Sequence, residues 1–276
     1  MTHLFCFGFG FTAAHLAKIL PREEWRISGT TRAPEGLAAM ALADVHGYIF
    51  DQLQQIPQSV THILASIPPG DMGDPVVTKF GEQLARPFTW TAYLSTTGVY
   101  GDRGGGVVTE VSPLAPTSER AKRRVLAESQ WQAFKAQIFR LPGIYGKGRS
   151  QLDSLRDGTA KRIVKAGQIF SRIHVEDIAG IVAASIERPN PGRIYNVADD
   201  EPGPPQDVVT YAAELLGVSP PPKVAYEQAN LSPMARSFYD DSKRVSNERV
   251  KAELGYQLKY PNYRVGLKSL LTSPSG

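Results

Sequence analysis

The residues best placed to do chemistry stand near the start of the chain. Gly8-Phe9-Gly10-Phe11-Thr12-Ala13 follows the apolar run Leu4–Phe7, and Ala13, Leu16, Ala17 and Leu20 then fall at i, i+3, i+4 and i+7, one buried helix face. Gly8 permits a tight strand-to-helix turn, Gly10 lets the backbone approach a diphosphate, and Ala13 is small enough for the helix to pack on the strand. The amide hydrogens that open the helix, together with its dipole, favour phosphate charge. Gly8, Phe9, Gly10, Phe11 and Ala13 are therefore the expected dinucleotide cradle.

Beyond that cradle, a free ribose 2′-hydroxyl calls for an Asp or Glu about 20 residues past the glycines, at the end of the second strand. The sequence there is Ser28-Gly29-Thr30-Thr31-Arg32, with no carboxylate. A guanidinium with a hydroxyl beside it suits a 2′-phosphate, so Thr31 and Arg32 point to NADP(H), with NAD(H) the alternative. Asp51 and Gln52 follow the third strand and are candidates for the adenine, although an ordinary surface turn accounts for Asp51 nearly as well. Ser66, closing the fourth strand, completes this set.

The elements that must hold these residues alternate. Strands are expected at Leu4–Phe7, Arg26–Gly29, Tyr48–Phe50, His62–Ser66, Thr91–Ser95, Gln137–Arg140 and Arg193–Val197. Helical patterns lie between them near Thr12–Leu20, Gly36–Ala43, Pro75–Leu84, Ser118–Phe134 and Glu176–Glu187. Such alternation predicts an α/β, Rossmann-type, doubly wound parallel sheet. After Asp199 the prolines multiply around helices at Pro205–Leu216 and Asn247–Leu254, which reads as a small C-terminal substrate lobe. The expected division is residues 1–146 plus 176–198 for the nucleotide-binding domain, and 147–175 plus 199–276 for the lobe. Ligands of open α/β sheets sit beyond the carboxyl ends of the strands, so those ends are where a site is sought.

Composition narrows the class. The chain has 276 residues, 42% hydrophobic and 21% charged, a globular balance with room for a sizeable core. One cysteine, Cys6, leaves no intrachain disulfide framework and fits a reducing compartment. No leader pattern and no apolar run of about 18 residues is visible, so a cytoplasmic protein that leaves membranes alone is expected. The basic run Arg120-Ala121-Lys122-Arg123-Arg124 invites a nucleic-acid reading, but Glu119 and Glu128 flank it and no aromatic residues interleave, so none is expected. The five histidines lack metal spacing, no metal is expected, and no G-x-S-x-G elbow anchors a hydrolytic triad. Oligomeric state stays open, a homodimer included.

Several segments together resemble the extended short-chain dehydrogenase/reductase superfamily, also called NAD-dependent epimerase/dehydratases. They are the Gly8-x-Gly10-x-x-Ala13 start, Leu94-Ser95-Thr96-Thr97-Gly98-Val99-Tyr100-Gly101, Arg140-Leu141-Pro142-Gly143-Ile144-Tyr145-Gly146, Arg172-Ile173-His174-Val175-Glu176-Asp177-Ile178-Ala179 and Ile194-Tyr195-Asn196-Val197. They occur in the family's order over essentially the whole chain. The resemblance implies a Ser/Thr after the fifth strand that orients a reacting oxygen, and a Tyr-x-x-x-Lys on the next helix that moves a proton and grips the nicotinamide ribose. Thr96 matches the hydroxyl position, with Ser95 its neighbour. Pro142 falls in the cofactor set, and Tyr145, Arg172 and His174 in segments that border the family's substrate cleft.

The tyrosine and lysine do not match. Counted back from Glu128, which resembles the glutamate ending the family's helix motif, their places hold Arg120 and Arg124. The chain's one Tyr-x-x-x-Lys spacing, Tyr239-Asp240-Asp241-Ser242-Lys243, lies past the last sheet strand and is read as coincidence. Arginine stays protonated, so Arg120 cannot be a general acid or base. At i and i+4, Arg120 and Arg124 share a helix face. Turned into the cleft, that face suits an anionic substrate at Arg120 and the ribose or phosphates of a cofactor at Arg124. A proton donor must then come from elsewhere: Tyr100, four residues after Thr96 and within reach, Tyr145, for which packing is the better account, or a bound water. The expectation is an NADP-dependent oxidoreductase or epimerase-like enzyme on an anionic or nucleotide-linked small molecule. Its rival is a cofactor-binding sensor or scaffold that has lost catalysis.

Overall fold

The computed structural model describes residues 1–272. Seven parallel strands form the central sheet: β1 (Thr2–Phe7), β2 (Trp25–Thr31), β3 (His46–Ile49), β4 (His62–Ala65), β5 (Trp90–Thr96), β6 (Gln137–Leu141) and β7 (Ile194–Asn196). Their spatial order is β7-β6-β5-β4-β1-β2-β3. This is the doubly wound order, and its direction reverses between β1 and β4, where a crevice opens at the carboxyl ends. The α/β reading of the sequence holds.

Strand β1 shows how the two faces are filled. Side chains alternate along a strand, so Leu4 and Cys6 enter one core with Leu16, Ala17, Ile178 and Val182, while Phe5 and Phe7 enter the other with Phe80, Tyr93 and Trp131. The first layer comes from α1 (Phe11–Ile19) and α6 (Val175–Glu187), the second from α3 (Pro75–Leu84) and α4 (Glu119–Ala133). Each such Leu or Phe, fully buried, contributes about 1.5–3 kcal/mol. Burial also pushes the Cys6 thiol up to about 12, so it packs as an inert hydrophobe.

Helix starts follow local chemistry. Asp74 caps α3 by accepting from the Val76 amide at 2.8 Å, with Pro75 in the first turn where its missing N–H costs nothing. Ser118 caps α4 through the Ala121 amide at 3.2 Å. The remaining helices are α2 (Glu35–Leu42), α5 (Gln151–Arg156), α7 (Pro205–Leu216), α8 (Pro233–Phe238), α9 (Glu248–Leu254) and α10 (Tyr263–Thr272).

Helices α5 and α8 carry no expectation in the sequence, and two further details differ from its reading. The strand expected at Tyr48–Phe50 is β3 two residues earlier, and Phe50–Gln52 is a single 3-10 turn. Helix α10 was not expected, although Tyr263 and Leu267, four residues apart, join Leu152, Val208 and Ala212 in a satellite core. Outside the sheet, short parallel pairs join Gly143–Tyr145 to Arg172–His174, Arg162–Val164 to Lys223–Ala225, and Val107–Val108 to Arg244–Val245. Among the described residues no helix is long and apolar enough to cross a membrane.

Candidate functional site

Because the strands are parallel, the residues that follow them gather at one edge. Gly8 takes φ +86°, a conformation that favours glycine. Its N–H donates to Thr30 Oγ1 at 2.9 Å and the Phe9 amide to the Thr30 carbonyl at 2.8 Å, which fastens the turn to β2. Ser66 Oγ donates to the Gly8 carbonyl at 2.7 Å, which fastens it to β4. Ser66 is therefore a brace for the cradle.

The mouth of that turn is open. Among the described residues no side chain caps the N-terminus of α1, and none lies within 4 Å of where a Cβ on Gly10 would stand. Ala13 is buried against the sheet. Phe9 packs against Gly29, and Phe11 lies 5.7 Å under the guanidinium of Arg149. Uncapped amides, a positive helix end and clear space fit a dinucleotide diphosphate. At the end of β2, Thr31 Oγ1 donates to the Ala33 carbonyl at 3.2 Å, and the exposed Arg32 forms no ion pair among the described residues. Asp51 and Gln52 are exposed on the 3-10 turn after β3.

A second opening, a cavity of about 660 Å³, lies between the ends of β5 and β6 and the elements outside the sheet. Thr96, Thr97, Arg120, Pro142, Tyr145 and Arg172 line it. Thr96 Oγ1 also accepts from the Gly98 amide at 3.1 Å, the bond of a cap, and among the described residues its O–H has no acceptor.

Several expected site residues are placed otherwise. Ser95 points inward and donates to Glu128 Oε1 at 2.6 Å, within a buried network. Tyr100, expected as proton donor, is fully buried: it donates to Asn196 Oδ1 at 2.7 Å and accepts from Arg140 at 2.9 Å. Burial pushes its hydroxyl above the usual tyrosine range despite the Arg140 charge. A side chain walled in this way reaches no substrate. Arg120 and Arg124 do not enter the cleft together either. Arg124 turns back to Tyr93 Oη (2.7 Å) and the Leu94 carbonyl (2.9 Å) and does not line the cavity.

His174 is likewise structural. Its Nδ1 accepts from the Glu176 amide at 3.2 Å and caps α6, and the ring is 1% exposed. Burial lowers its pKa to about 4, so the ring is neutral at pH 7. The ring of Tyr145 faces the cavity, but its hydroxyl is buried against α10, where a Cβ on Gly266 would stand 2.1 Å away. Arg172 is almost buried and donates to the carbonyls of Glu201 (3.4 Å) and Gly203 (3.2 Å). Beside it, burial raises the Asp199 carboxyl to about 8 although the Arg172 charge pulls the other way.

Arg149, Tyr239 and Lys243 line the cavity and were missed. Lys243 is 7% exposed and donates to the Gly101 carbonyl at 2.8 Å and to Asp241 at 3.1 Å. The Tyr239-x-x-x-Lys243 spacing set aside as coincidence thus belongs to the cavity wall. It does not form a coupled pair, because Tyr239 packs on Phe170 and Tyr226, each at 5.3 Å. No sequence signal marked Arg149. Among the described residues no His/Cys/Asp/Glu cluster could hold a metal.

No protein-family model matches the chain. A conserved protein of unknown function from Silicibacter pomeroyi DSS is similar over 98% of both chains, with 50% identity and a TM-score of 0.95. Protein YeeZ of Escherichia coli K12 is 26% identical over 92% of this chain and 95% of its own length. A human epimerase family protein solved with NADPH shares 17% identity over 98% of this chain and 99% of its own, with a TM-score of 0.73. Bacillus epimerase and dehydratase structures holding NAD share the same architecture at 15% identity, with TM-scores of 0.75 and 0.74.

Proposed function

We propose that this chain, which belongs to the extended short-chain dehydrogenase/reductase (NAD-dependent epimerase/dehydratase) fold family, binds NADP(H) and acts as an oxidoreductase or epimerase-like enzyme on an anionic small molecule. The observation that carries this reading is the uncapped start of α1 beside an unobstructed Gly10, at the point where the strand order reverses. The relatives solved with NADPH or NAD support a nicotinamide nucleotide, and Arg32 in place of a carboxylate supports the 2′-phosphate form.

A bound nicotinamide would supply or accept hydride. The chain's own residues bind and orient. The Gly8–Ala13 turn would hold the diphosphate, and Arg149, above Phe11, stands between that turn and the cavity. Thr96 would donate to the reacting oxygen. Arg120, exposed at the cavity mouth, would attract the substrate's negative charge through its forked N–H donors.

The sensor reading is favoured by one observation: the family's tyrosine place holds Arg120, and the expected substitute Tyr100 is sealed in the core. The enzyme reading keeps two groups able to give up a proton at the cavity wall, Tyr239 and Lys243. NADPH fluorescence titration of the full chain tests the shared premise. Saturable quenching or a blue shift is expected, and an unchanged spectrum at every concentration would remove both readings.

A further inference from the structure

Most charges on the cavity wall are already spent. Arg172 donates to two backbone carbonyls, and Lys243 to the Gly101 carbonyl and Asp241. Asp241 also accepts from Thr117 Oγ1 at 2.9 Å, and Asp153 is held in the capping box of Ser150. Arg149 forms no ion pair among the described residues either, but it stands against Phe11, on the side of the diphosphate turn, where a dinucleotide would take its charge.

Arg120 is the second unpaired guanidinium on the wall. It forms no ion pair among the described residues, and its guanidinium lies 4.7 Å from the centre of the Phe238 ring. A guanidinium held by a ring contact alone keeps its N–H donors available, and a planar acceptor can take two of them at once. Phe238 itself is 49% exposed. Phe170 and Tyr239, half-buried with ring centres 5.3 Å apart, also line the cavity. With Arg149 left to the dinucleotide, the one remaining uncommitted positive charge matches one negative charge. That favours a carboxylate over a phosphate dianion, which would ask for more donors than Arg120 alone can give. The half-exposed rings offer a flat body a face to lie on.

We propose that the cavity binds a flat aromatic or conjugated monocarboxylate, with its carboxylate forked onto Arg120 and its ring laid against Phe170 and Tyr239. The inference deepens the anionic-substrate part of the reading above and rests on it for the choice of cavity and for leaving Arg149 to the cofactor.

Isothermal titration of the full chain with trans-cinnamate, with and without saturating NADPH, tests it. One-to-one binding is expected. Cyclohexanecarboxylate, which keeps the charge without the ring, and cinnamyl alcohol, which keeps the ring without the charge, should each bind roughly tenfold more weakly. Arg120→Gln, an exposed helical position whose folding circular dichroism can verify, should cost about the same factor. Arg120→Lys should recover only part, because the fork is lost. No heat with cinnamate, an unchanged constant in Arg120→Gln, or tighter binding of inorganic phosphate than of cinnamate would each overturn the proposal. Should NADPH fail to quench while cinnamate still depends on Arg120, the cofactor reading falls and this one stands.

Discussion

The hydroxyl of Ser66 and the carbonyl of Gly8 meet at 2.7 Å, so the end of β4 holds the turn that leaves β1. A methyl group on Gly8 would stand 3.0 Å from Ser66 Oγ and 3.3 Å from the Ile67 amide, on a backbone at φ +86°. Gly8→Ala should therefore lose about 1–3 kcal/mol in urea unfolding and weaken NADPH binding as the turn shifts. Ser66→Ala, which removes only the brace, should lose about 1 kcal/mol. Wild-type stability and affinity in Gly8→Ala would show that the turn is not held in this shape.

Arg32 stands exposed at the end of β2 with no carboxylate partner among the described residues. Arg32→Asp removes a charged donor and adds an acceptor suited to a free ribose. The NADP-to-NAD affinity ratio should fall by about ten- to a hundredfold, the worth of about 1.5–3 kcal/mol for hydrogen bonds to a charged group. Parallel titrations with both cofactors read the ratio, and an unchanged one rejects the 2′-phosphate assignment.

Arg140 and Glu128 form a buried ion pair at 2.7 Å, with side chains 3% and 5% exposed. Glu128→Ala leaves the guanidinium without its counter-charge and should cost about 3–5 kcal/mol in chemical denaturation. Ser95→Ala removes one hydrogen bond from the same carboxylate and should cost about 1 kcal/mol without changing cofactor affinity. A large affinity loss in Ser95→Ala would restore Ser95 to the site.

His174 is kept neutral by burial, with its pKa lowered from 6.5 to about 4. Between those values the unfolded chain binds a proton that the folded chain refuses, so stability falls as pH drops from about 6.5 towards 4. With allowance for residual solvent screening the loss is about 1–2 kcal/mol. Asp199, raised to about 8, has the opposite sign: folding favours its protonated form, and its contribution is lost as pH rises from 3.8 through 8. The difference between wild type and His174→Asn, which keeps an oxygen for the α6 cap, isolates the histidine. Unfolding midpoints at pH 4.5 and 7 should lie closer together in the variant. Equal separation would mean that His174 does not titrate this way.

Local chemistry, carried in the order of residues, determined the sheet, the glycine turn and the helix that follows it. Period-2 and period-3.6 patterns and small residues at fixed spacing act within a few positions of one another, so Leu4 to Leu20 declare their roles unaided. Only the tertiary structure decided which polar side chains face open space. Tyr100 lies four residues from Thr96 in sequence, yet Asn196 and Arg140, distant along the chain, draw it into the core. Tyr239 and Lys243 lie far beyond the last strand of the central sheet, yet the return of the chain sets them on the cavity wall with Thr96 and Arg120. A side chain's direction is set by partners from other elements, and those partners meet only when the chain has folded.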